Sequence, residues 1–149
     1  MIVLICGPAG VGKTTVATLL QTRLQARGYQ FRMLDSDEFS RNTYDRLYDR
    51  IEGADENWIV AGTFYKRKWQ ARFQRLDDVV LVWLRADLET CLDRNQRRAE
   101  PIDERAVHII WREFHEPDAD VTVDVSETPP AAVVAELVEP LVSRLESDH

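Results

Sequence analysis

The feature that most constrains this chain is a glycine-rich segment, residues 7–14, that follows a short apolar run. The segment reads Gly-Pro-Ala-Gly-Val-Gly-Lys-Thr and fits the pattern G-x-x-x-x-G-K-[ST] at every required position. The run before it, Ile2–Cys6, is continuously apolar and predicts a buried strand. Residues 13–27 after it carry apolar side chains at helical spacing and end at Gly28. A loop of this composition between a strand and a helix is the usual setting for phosphate binding.

The residues of this loop have separable expected roles. The glycines allow successive backbone N–H groups to point at phosphate oxygens, and the helix N-terminus adds partial positive charge. We expect Lys13 to contact the β- and γ-phosphates, Thr14 to place its hydroxyl on Mg²⁺ and Thr15 to hold the α-phosphate. The expected cofactors are therefore ATP and Mg²⁺. The expected nucleotide-binding residues are Gly7, Pro8, Ala9, Gly10, Val11, Gly12, Lys13, Thr14 and Thr15.

Strand and helix patterns alternate along the rest of the chain, which predicts an α/β fold with a parallel sheet and helices on both faces. The further predicted strands cover 29–34, 58–61, 79–84 and 121–125, and the further predicted helices cover 36–51, 65–76, 87–97, 103–115 and 129–145. The first and fourth strands are apolar throughout, as central strands are, whereas the second and fifth alternate. The second and fifth strands should therefore be the edges of the sheet.

Length and charge limit the remaining possibilities. A chain of 149 residues is expected to form one domain, 1–149. The net charge of −7 argues against DNA as a partner, because tight non-specific binding requires a basic surface. The N-terminal apolar run is too short for a signal sequence, and no segment approaches the length of a membrane span. We therefore expect a cytoplasmic protein with no membrane partner.

The loop indicates that the chain binds a nucleoside triphosphate, but it does not indicate which reaction the nucleotide undergoes. A regulatory GTPase would need an N-K-x-D segment, and the chain has none. A motor or AAA-type ATPase is normally longer and has an apolar strand that ends in Asp or Asp-Glu. Here the fourth strand ends in Trp83-Leu84-Arg85. A small kinase is the class that remains.

Acidic residues follow the second strand in the segment Leu34-Asp35-Ser36-Asp37-Glu38. In an open parallel sheet, ligands bind outside the carboxyl ends of the strands, so these acids should face the phosphate loop. A kinase that acts on a hydroxyl needs one carboxylate to accept the proton and another near the metal. We assign Asp37 as the base and Asp35 to the Mg²⁺ site, and the two assignments could be exchanged. In the alternative interpretation, Ser36 or Asp37 simply caps the next helix.

Five segments together resemble the small P-loop kinases of the adenylylsulfate kinase and O-phosphoseryl-tRNA kinase group. They are residues 7–15, 34–37, 60–65 (Val-Ala-Gly-Thr-Phe-Tyr), 88–95 (Leu-Glu-Thr-Cys-Leu-Asp-Arg-Asn) and 112–117 (Arg-Glu-Phe-His-Glu-Pro). The resemblance implies a five-stranded parallel sheet in the order 2-3-1-4-5. It also implies a lid around residues 94–103 that closes Arg94, Arg97 and Arg98 over the phosphates. Arg94 and Arg98 are thus expected to be catalytic together with Lys13 and Asp37.

The chain also departs from that group. Gly62 stands where the seryl-tRNA kinases carry an acidic residue, so Asp35 is expected to take more of the metal binding. Residues 95–100 replace the lysine-glycine-leucine-tyrosine segment typical of adenylylsulfate kinases. The separate tRNA-binding domain of the seryl-tRNA kinases has no counterpart in the 149 residues. The resemblance therefore implies the chemistry and leaves the acceptor open.

Five cations with no acid among them occupy ten residues after Tyr65: Lys66, Arg67, Lys68, Arg72 and Arg75. They could receive an anionic acceptor, or they could be the wet face of a helix that buries Trp69 and Phe73. We expect acceptor contacts from Arg41, one helical turn past Asp37, and from Lys66 and Arg67. The acceptor is expected to be a hydroxyl on a small or nucleotide-like anion, with RNA or aminoacyl-tRNA and adenylylsulfate as alternatives. A non-catalytic ATP-binding adaptor is the alternative of a different class.

Overall fold

The sheet in this protein has five parallel strands, as seen in a computed structural model that describes residues 1–39 and 41–147. The strands are β1 (Ile2–Cys6), β2 (Phe31–Asp35), β3 (Asn57–Gly62), β4 (Val79–Arg85) and β5 (Val121–Asp124). β1 lies between β3 and β4, while β2 pairs with β3 and β5 pairs with β4. The spatial order is therefore 2-3-1-4-5. The predicted fold class, strand order and edge strands are confirmed.

Helices cover both faces of this sheet. They are α1 (Lys13–Ala26), α2 (Thr43–Ile51), α3 (Arg67–Gln74), α4 (Leu88–Gln96), α5 (Glu104–Glu113) and α6 (Pro130–Ser147). On one face, Val3 and Ile5 of β1 belong to the core cluster of α1 and α6. On the other face, Leu4 of β1 packs in the cluster that contains Leu47 of α2 and Phe73 of α3. Since β1 is buried on both faces, every one of its residues is apolar.

The predicted single helix over residues 36–51 is wrong. Asp35 instead caps a three-residue 3₁₀ turn, Ser36–Glu38, by accepting a hydrogen bond from the N–H of Asp37 at 2.9 Å. The Glu38 carboxylate accepts the Asp35 N–H at 2.8 Å, which completes a capping box. The backbone is extended at Phe39, and α2 begins only at Thr43. The acids therefore stay together at the carboxyl end of β2 instead of lying along a helix.

This break also separates Arg41 from Asp37, because no continuous helix places them one turn apart. The other predicted elements are present, with ends within two residues of those expected. Residues 40, 148 and 149, which the predicted helix and the predicted single domain include, lie outside the described residues. Within the described part, no helix combines the length and apolar character needed to cross a bilayer.

Candidate active site

The glycine-rich loop lies at the carboxyl end of β1 and leads directly into α1. Gly10 and Gly12 have φ angles of +89° and +88°, in the left-handed region that favours glycine. A Cβ on Gly10 would lie 2.4 Å from the carbonyl oxygen of Cys91 in α4. Gly10 is therefore required both by its backbone conformation and by close packing of the loop against α4.

Lys13 directs its ammonium group back into this loop. Its Nζ donates a hydrogen bond to the carbonyl oxygen of Pro8 at 3.0 Å. Burial lowers the pKa of Lys13 to about 8, against opposing effects of Asp37 and Asp35. A partly desolvated ammonium with one protein partner is suited to a phosphate ligand, whose negative charge would compensate the loss of water.

Thr14 and Asp35, both predicted as Mg²⁺ ligands, are in direct contact. The Thr14 Oγ1 hydroxyl donates a hydrogen bond to Asp35 Oδ2 at 2.5 Å, while the other carboxylate oxygen of Asp35 serves the capping box. A hydroxyl beside a carboxylate is a donor set that suits Mg²⁺, which binds few protein oxygens and keeps several waters. Within the described residues no group of three or more His, Cys, Asp or Glu side chains could hold a metal. The Thr14 hydroxyl and the Asp35 carboxylate are the residues that could hold such an ion.

Asp37 faces one of the predicted lid arginines. Its carboxylate lies 3.6 Å from Nη2 of Arg98, in the segment that follows α4. Both side chains are exposed, by 72% and 42%, so the pair contributes little to stability. The geometry brings the candidate base and a candidate phosphate-binding cation together across the cleft, in a contact that a ligand could readily replace.

Arg94, the first predicted lid arginine, holds two backbone segments. Its Nη1 donates to the carbonyl oxygen of Val11 at 2.9 Å, and its Nη2 donates to that of Val125 at 2.8 Å. It thereby ties the phosphate loop to the segment between β5 and α6. Arg97 is exposed and pairs with Asp93 at 3.1 Å, away from Asp37. The three arginines that the resemblance groups together thus have three different environments.

These side chains surround a cleft of about 890 Å³ at the carboxyl edge of the sheet, a size typical of ligand sites. The predicted residues that line it are Ala9, Gly10, Gly12, Lys13, Thr14, Thr15, Asp35, Asp37, Arg94 and Arg98. The remaining lining residues are not among the predicted site residues: Ser36, Glu38, Thr63, Ile102, Ile110 and Pro130. Of these, Glu38 had a usable signal, because Asp and Glu three residues apart match a capping box.

Thr63 reaches the cleft because the next residue is held in an unusual conformation. Phe64 has φ of 46°, in the left-handed region, where a bulky residue is uncommon. Its N–H donates to the hydroxyl of Tyr44 at 2.9 Å, and its carbonyl accepts from Gln70 Nε2 at 2.7 Å. Burial raises the pKa of Tyr44 to about 12, so this hydroxyl stays neutral. We call these two contacts the Phe64 clamp, and no spacing in the sequence indicates them.

Gly62 has no room for the acidic residue found at this position in the seryl-tRNA kinases. A Cβ at Gly62 would lie 2.8 Å from the ring of Phe64 and 3.3 Å from Ser36 Cβ. Since contacts below 3.0 Å require a shift of one partner, a larger side chain would displace the Phe64 clamp. Asp35 is the carboxylate that the structure brings to Thr14 instead.

The predicted acceptor residues lie outside the lining of the cleft. Arg41, Lys66 and Arg67 are all exposed. The Lys66 ammonium lies 5.1 Å from the ring centre of Trp69, a distance typical of a cation–π contact. Phe73 is fully buried and Trp69 packs against the same core cluster, so the core interpretation of these two aromatic residues is confirmed.

A family model described as an AAA domain matches residues 2–117 of the chain. This match confirms the predicted resemblance to small P-loop kinases. The sheet order is that of the P-loop kinases, as the resemblance implied.

A probable adenylyl-sulfate kinase from Archaeoglobus fulgidus is 41% identical over 46 residues, which are 31% of this chain and 30% of that protein. The Mycobacterium tuberculosis APS kinase CysC, in complex with AMPPNP and APS, superposes with a TM-score of 0.74 at 19% identity, over 94% of this chain and 96% of that one. A gluconokinase from Sinorhizobium meliloti has a TM-score of 0.71 at 17% identity, over 95% of each chain. The similarity to both structures concerns the fold.

Proposed function

We propose that this chain, which belongs to the AAA domain family, is an ATP-dependent kinase that transfers the γ-phosphate of ATP to a hydroxyl group. The observation that carries the proposal is the grouping of Lys13, the Thr14–Asp35 contact and the Asp37–Arg98 pair around one cleft. Lys13 supplies a cation for the phosphates, and Thr14 with Asp35 supplies a metal site. Asp37 supplies a base and Arg98 a second cation, so the four requirements of phosphoryl transfer are present.

The phosphate loop and the residues beside it would bind the donor. Backbone N–H groups of residues 9–15 hold the phosphates, with Lys13 on the β- and γ-phosphates. Thr14 and Asp35 would hold Mg²⁺, which neutralises phosphate charge when bound. Arg94 keeps the loop in shape through the carbonyl of Val11, and Arg98 stabilises charge on the transferred group.

Asp37 would accept the proton of the acceptor hydroxyl. The hydroxyl oxygen forms the new bond to the γ-phosphorus while the bond from that phosphorus to the bridging oxygen breaks. The bridging oxygen leaves with the electron pair as part of ADP, and the proton goes to the Asp37 carboxylate. This assignment is supported by the environment of Asp35, because both of its carboxylate oxygens already accept hydrogen bonds. Asp37 has Arg98 as its ion-pair partner, and phosphate can compete for that arginine.

The acceptor in this proposal is a small or nucleotide-like anion in the cytoplasm, with RNA second and adenylylsulfate third. Its support is the similarity in fold to an APS kinase and a gluconokinase. Arg41, Lys66 and Arg67 are exposed outside the cleft, so they would contact the part of an acceptor that extends beyond the cleft. Thr63, Ser36 and Glu38 supply neutral and acidic hydrogen-bonding groups inside the cleft.

Radiolabelled ATP, offered with fractionated metabolites and with total RNA, tests the proposal. Wild-type protein should label one acceptor pool in a Mg²⁺-dependent manner. Lys13→Ala should lose transfer by a factor of about 10²–10³, the usual effect of removing one group that stabilises transition-state charge. Arg23→Ala, which removes an exposed cation from the same helix, is the matched control and should retain activity.

Two outcomes would contradict the proposal. Undiminished transfer by Lys13→Ala would refute the assignment of the site. Tight ATP binding without transfer to any pool would favour the adaptor.

A further inference from the structure

Asn95 is one of two buried polar residues in the described part of the chain, and it makes an unusual pair of contacts. The side chain is 1% exposed and lies near the end of α4. Its Nδ2 donates to the carbonyl oxygen of Ile102 at 2.8 Å, and its Oδ1 accepts the Ile102 N–H at 3.1 Å. One carboxamide thus satisfies both backbone groups of a residue seven positions further along the chain, and we call this contact the Asn95 clasp.

The clasp closes a loop of six exposed residues, 96–101. After the end of α4 at Gln96 this segment has no regular secondary structure, and its residues are exposed. The loop carries Arg98, which reaches across to Asp37. Ile102, held by the clasp, lines the same cleft. The position of Arg98 over the cleft therefore depends on a loop that is fixed chiefly at its base.

The base is attached in turn to the phosphate loop. Arg94, the residue before Asn95, donates to the carbonyls of Val11 and Val125. Two consecutive residues of α4 thus join three backbone segments, the phosphate loop, the start of the β5–α6 segment and the end of the exposed loop. A loop clasped in this way moves with α4 as one piece, because a hinge at Pro101 would have to break two partly buried hydrogen bonds at Ile102.

We propose that Asn95 is a positioning residue that presents Arg98 to the γ-phosphate of ATP, an inference that rests on the proposed kinase function. Asn95 does not touch the nucleotide. The clasp restricts the conformations of the loop before binding, so less freedom of Arg98 is lost when the phosphate arrives. Without the clasp, Arg98 would have to be ordered during binding, and its contact with the γ-phosphate would weaken.

A double-mutant cycle on the ratio of ADP to ATP dissociation constants tests this inference. ADP lacks the γ-phosphate, so the ratio isolates contacts to that group. With Mg²⁺ present, Arg98→Ala should lower the ratio about tenfold, the scale of one charge-assisted hydrogen bond. Asn95→Leu is similar in size and uncharged, and should lower the ratio several-fold. The double variant should be no lower than Arg98→Ala, because the two residues act through one contact.

Gln96→Ala is the matched control, since Gln96 lies beside the clasp and its side chain donates to Glu104 at the surface. It should leave the ratio unchanged. Equal weakening of ATP and ADP by Asn95→Leu, an unchanged ratio, or additive effects with Arg98→Ala would each overturn the inference. An unchanged ratio in Arg98→Ala would overturn it as well, while leaving nucleotide binding intact. Failure of the wild type to bind either nucleotide would instead refute the proposed function.

Hydrogen exchange of the wild-type protein tests the clasp without any substitution, which matters if Asn95→Leu fails to fold. In the nucleotide-free protein the amide of Ile102 should be protected, because its acceptor is buried, while the amides of residues 99 and 100 in the exposed part of the loop should exchange quickly. An Ile102 amide that exchanges as fast as the loop would overturn the inference.

Discussion

Asp35 and Asp37 stand two residues apart, yet their environments suit different tasks. Asp35 accepts the Thr14 hydroxyl and the Asp37 N–H, whereas the carboxylate of Asp37 pairs with Arg98 across the cleft. We expect Asp37→Asn to bind Mg²⁺·ATP near normally and to lose transfer by a factor of about 10²–10⁴, the range for a general base. Asp35→Asn should weaken Mg²⁺·ATP binding as well.

Binding by calorimetry and single-turnover transfer separate these two effects. Glu38→Gln, which alters a neighbouring carboxylate of the same turn, is the comparison for general changes in charge. If Asp37→Asn retained transfer activity while Asp35→Asn lost it, the roles of base and metal ligand would have to be exchanged.

Lys13 links nucleotide binding to pH. Burial lowers its pKa to about 8 in the free protein, below the usual 10.5, so part of the population is neutral at slightly alkaline pH. Bound phosphates favour the ammonium form and raise this pKa. Binding should therefore take up protons at about pH 8.5, and ATP affinity should fall as pH rises through the free-protein pKa.

Calorimetry in two buffers of different ionisation enthalpy measures this uptake directly. Lys13→Arg keeps the charge at every accessible pH, so its binding heat should not depend on the buffer. Equal heats for the wild type in both buffers would show that Lys13 is already fully protonated before ATP binds.

At the residue level, the sequence identified the phosphate loop because its glycines, lysine and threonine are required by local backbone geometry. The Thr14–Asp35 contact followed from the rule that ligands gather at the carboxyl ends of strands. The position of Arg94 was not predictable, because both of its acceptors are backbone carbonyls from distant segments. A backbone carbonyl carries no signature in the sequence, and so the partners of such a side chain are visible only in the fold.

At the level of elements, the loop after β3 is joined to the segment after α5. Gln70 of α3 donates to the carbonyl of Phe64 at 2.7 Å and to that of His115 at 2.8 Å. The N–H of His115 donates to the carbonyl of Tyr65 at 2.9 Å. The buried carboxamide thus fixes the loop that carries Thr63 into the cleft.

Gln70→Leu should therefore be strongly destabilising. Leucine has a similar size but leaves the buried carbonyl of Phe64 without its donor, at about 1–3 kcal/mol, and the partly buried carbonyl of His115 without its donor at a smaller cost. Gln74→Leu is the matched control, because Gln74 lies on the same helix and also donates to a backbone carbonyl, that of Asp118, but at an exposed site. Its cost should be about 0.5 kcal/mol or less. Denaturant unfolding measures the free energy of unfolding of both variants. Equal values would contradict the stabilising role of Gln70 in the Phe64 clamp.

The elements themselves were predictable where apolar periodicity was strong, as in β1, β4 and α6. The helix expected over residues 36–51 failed because local capping by Asp35 and Glu38 competed with helix continuation. The left-handed conformation at Phe64 was hidden for a different reason. It depends on packing against Gly62 and on partners in α2 and α3, which no window of neighbouring residues contains.

At the scale of the whole molecule, charge is distributed unevenly. The chain has a net charge of −7, yet the ten residues from Lys66 to Arg75 contain five cations and no acid. Arg72 is neutralised by an ion pair with Asp45, whereas the Lys66 and Lys68 ammonium groups lie over the Trp69 ring. A basic surface on an acidic protein should attract an anion.

The nature of the acceptor therefore has a measurable electrostatic signature. A polynucleotide that neutralises several of these cations should lose apparent affinity steeply with salt, with a log–log slope of about −0.7 for each phosphate contacted. A compact anion should show a shallow dependence, because it contacts one or two charges, and this is the outcome we expect. The Michaelis constant of the acceptor, measured at several ionic strengths, distinguishes the two.

The double variant Lys66→Ala, Arg67→Ala should raise the Michaelis constant of the acceptor without changing ATP affinity. Arg23→Ala should change neither quantity. The best turnover could instead be with a neutral sugar whose Michaelis constant changes neither with salt nor with loss of Lys66 and Arg67. That result would contradict an anionic acceptor of either size.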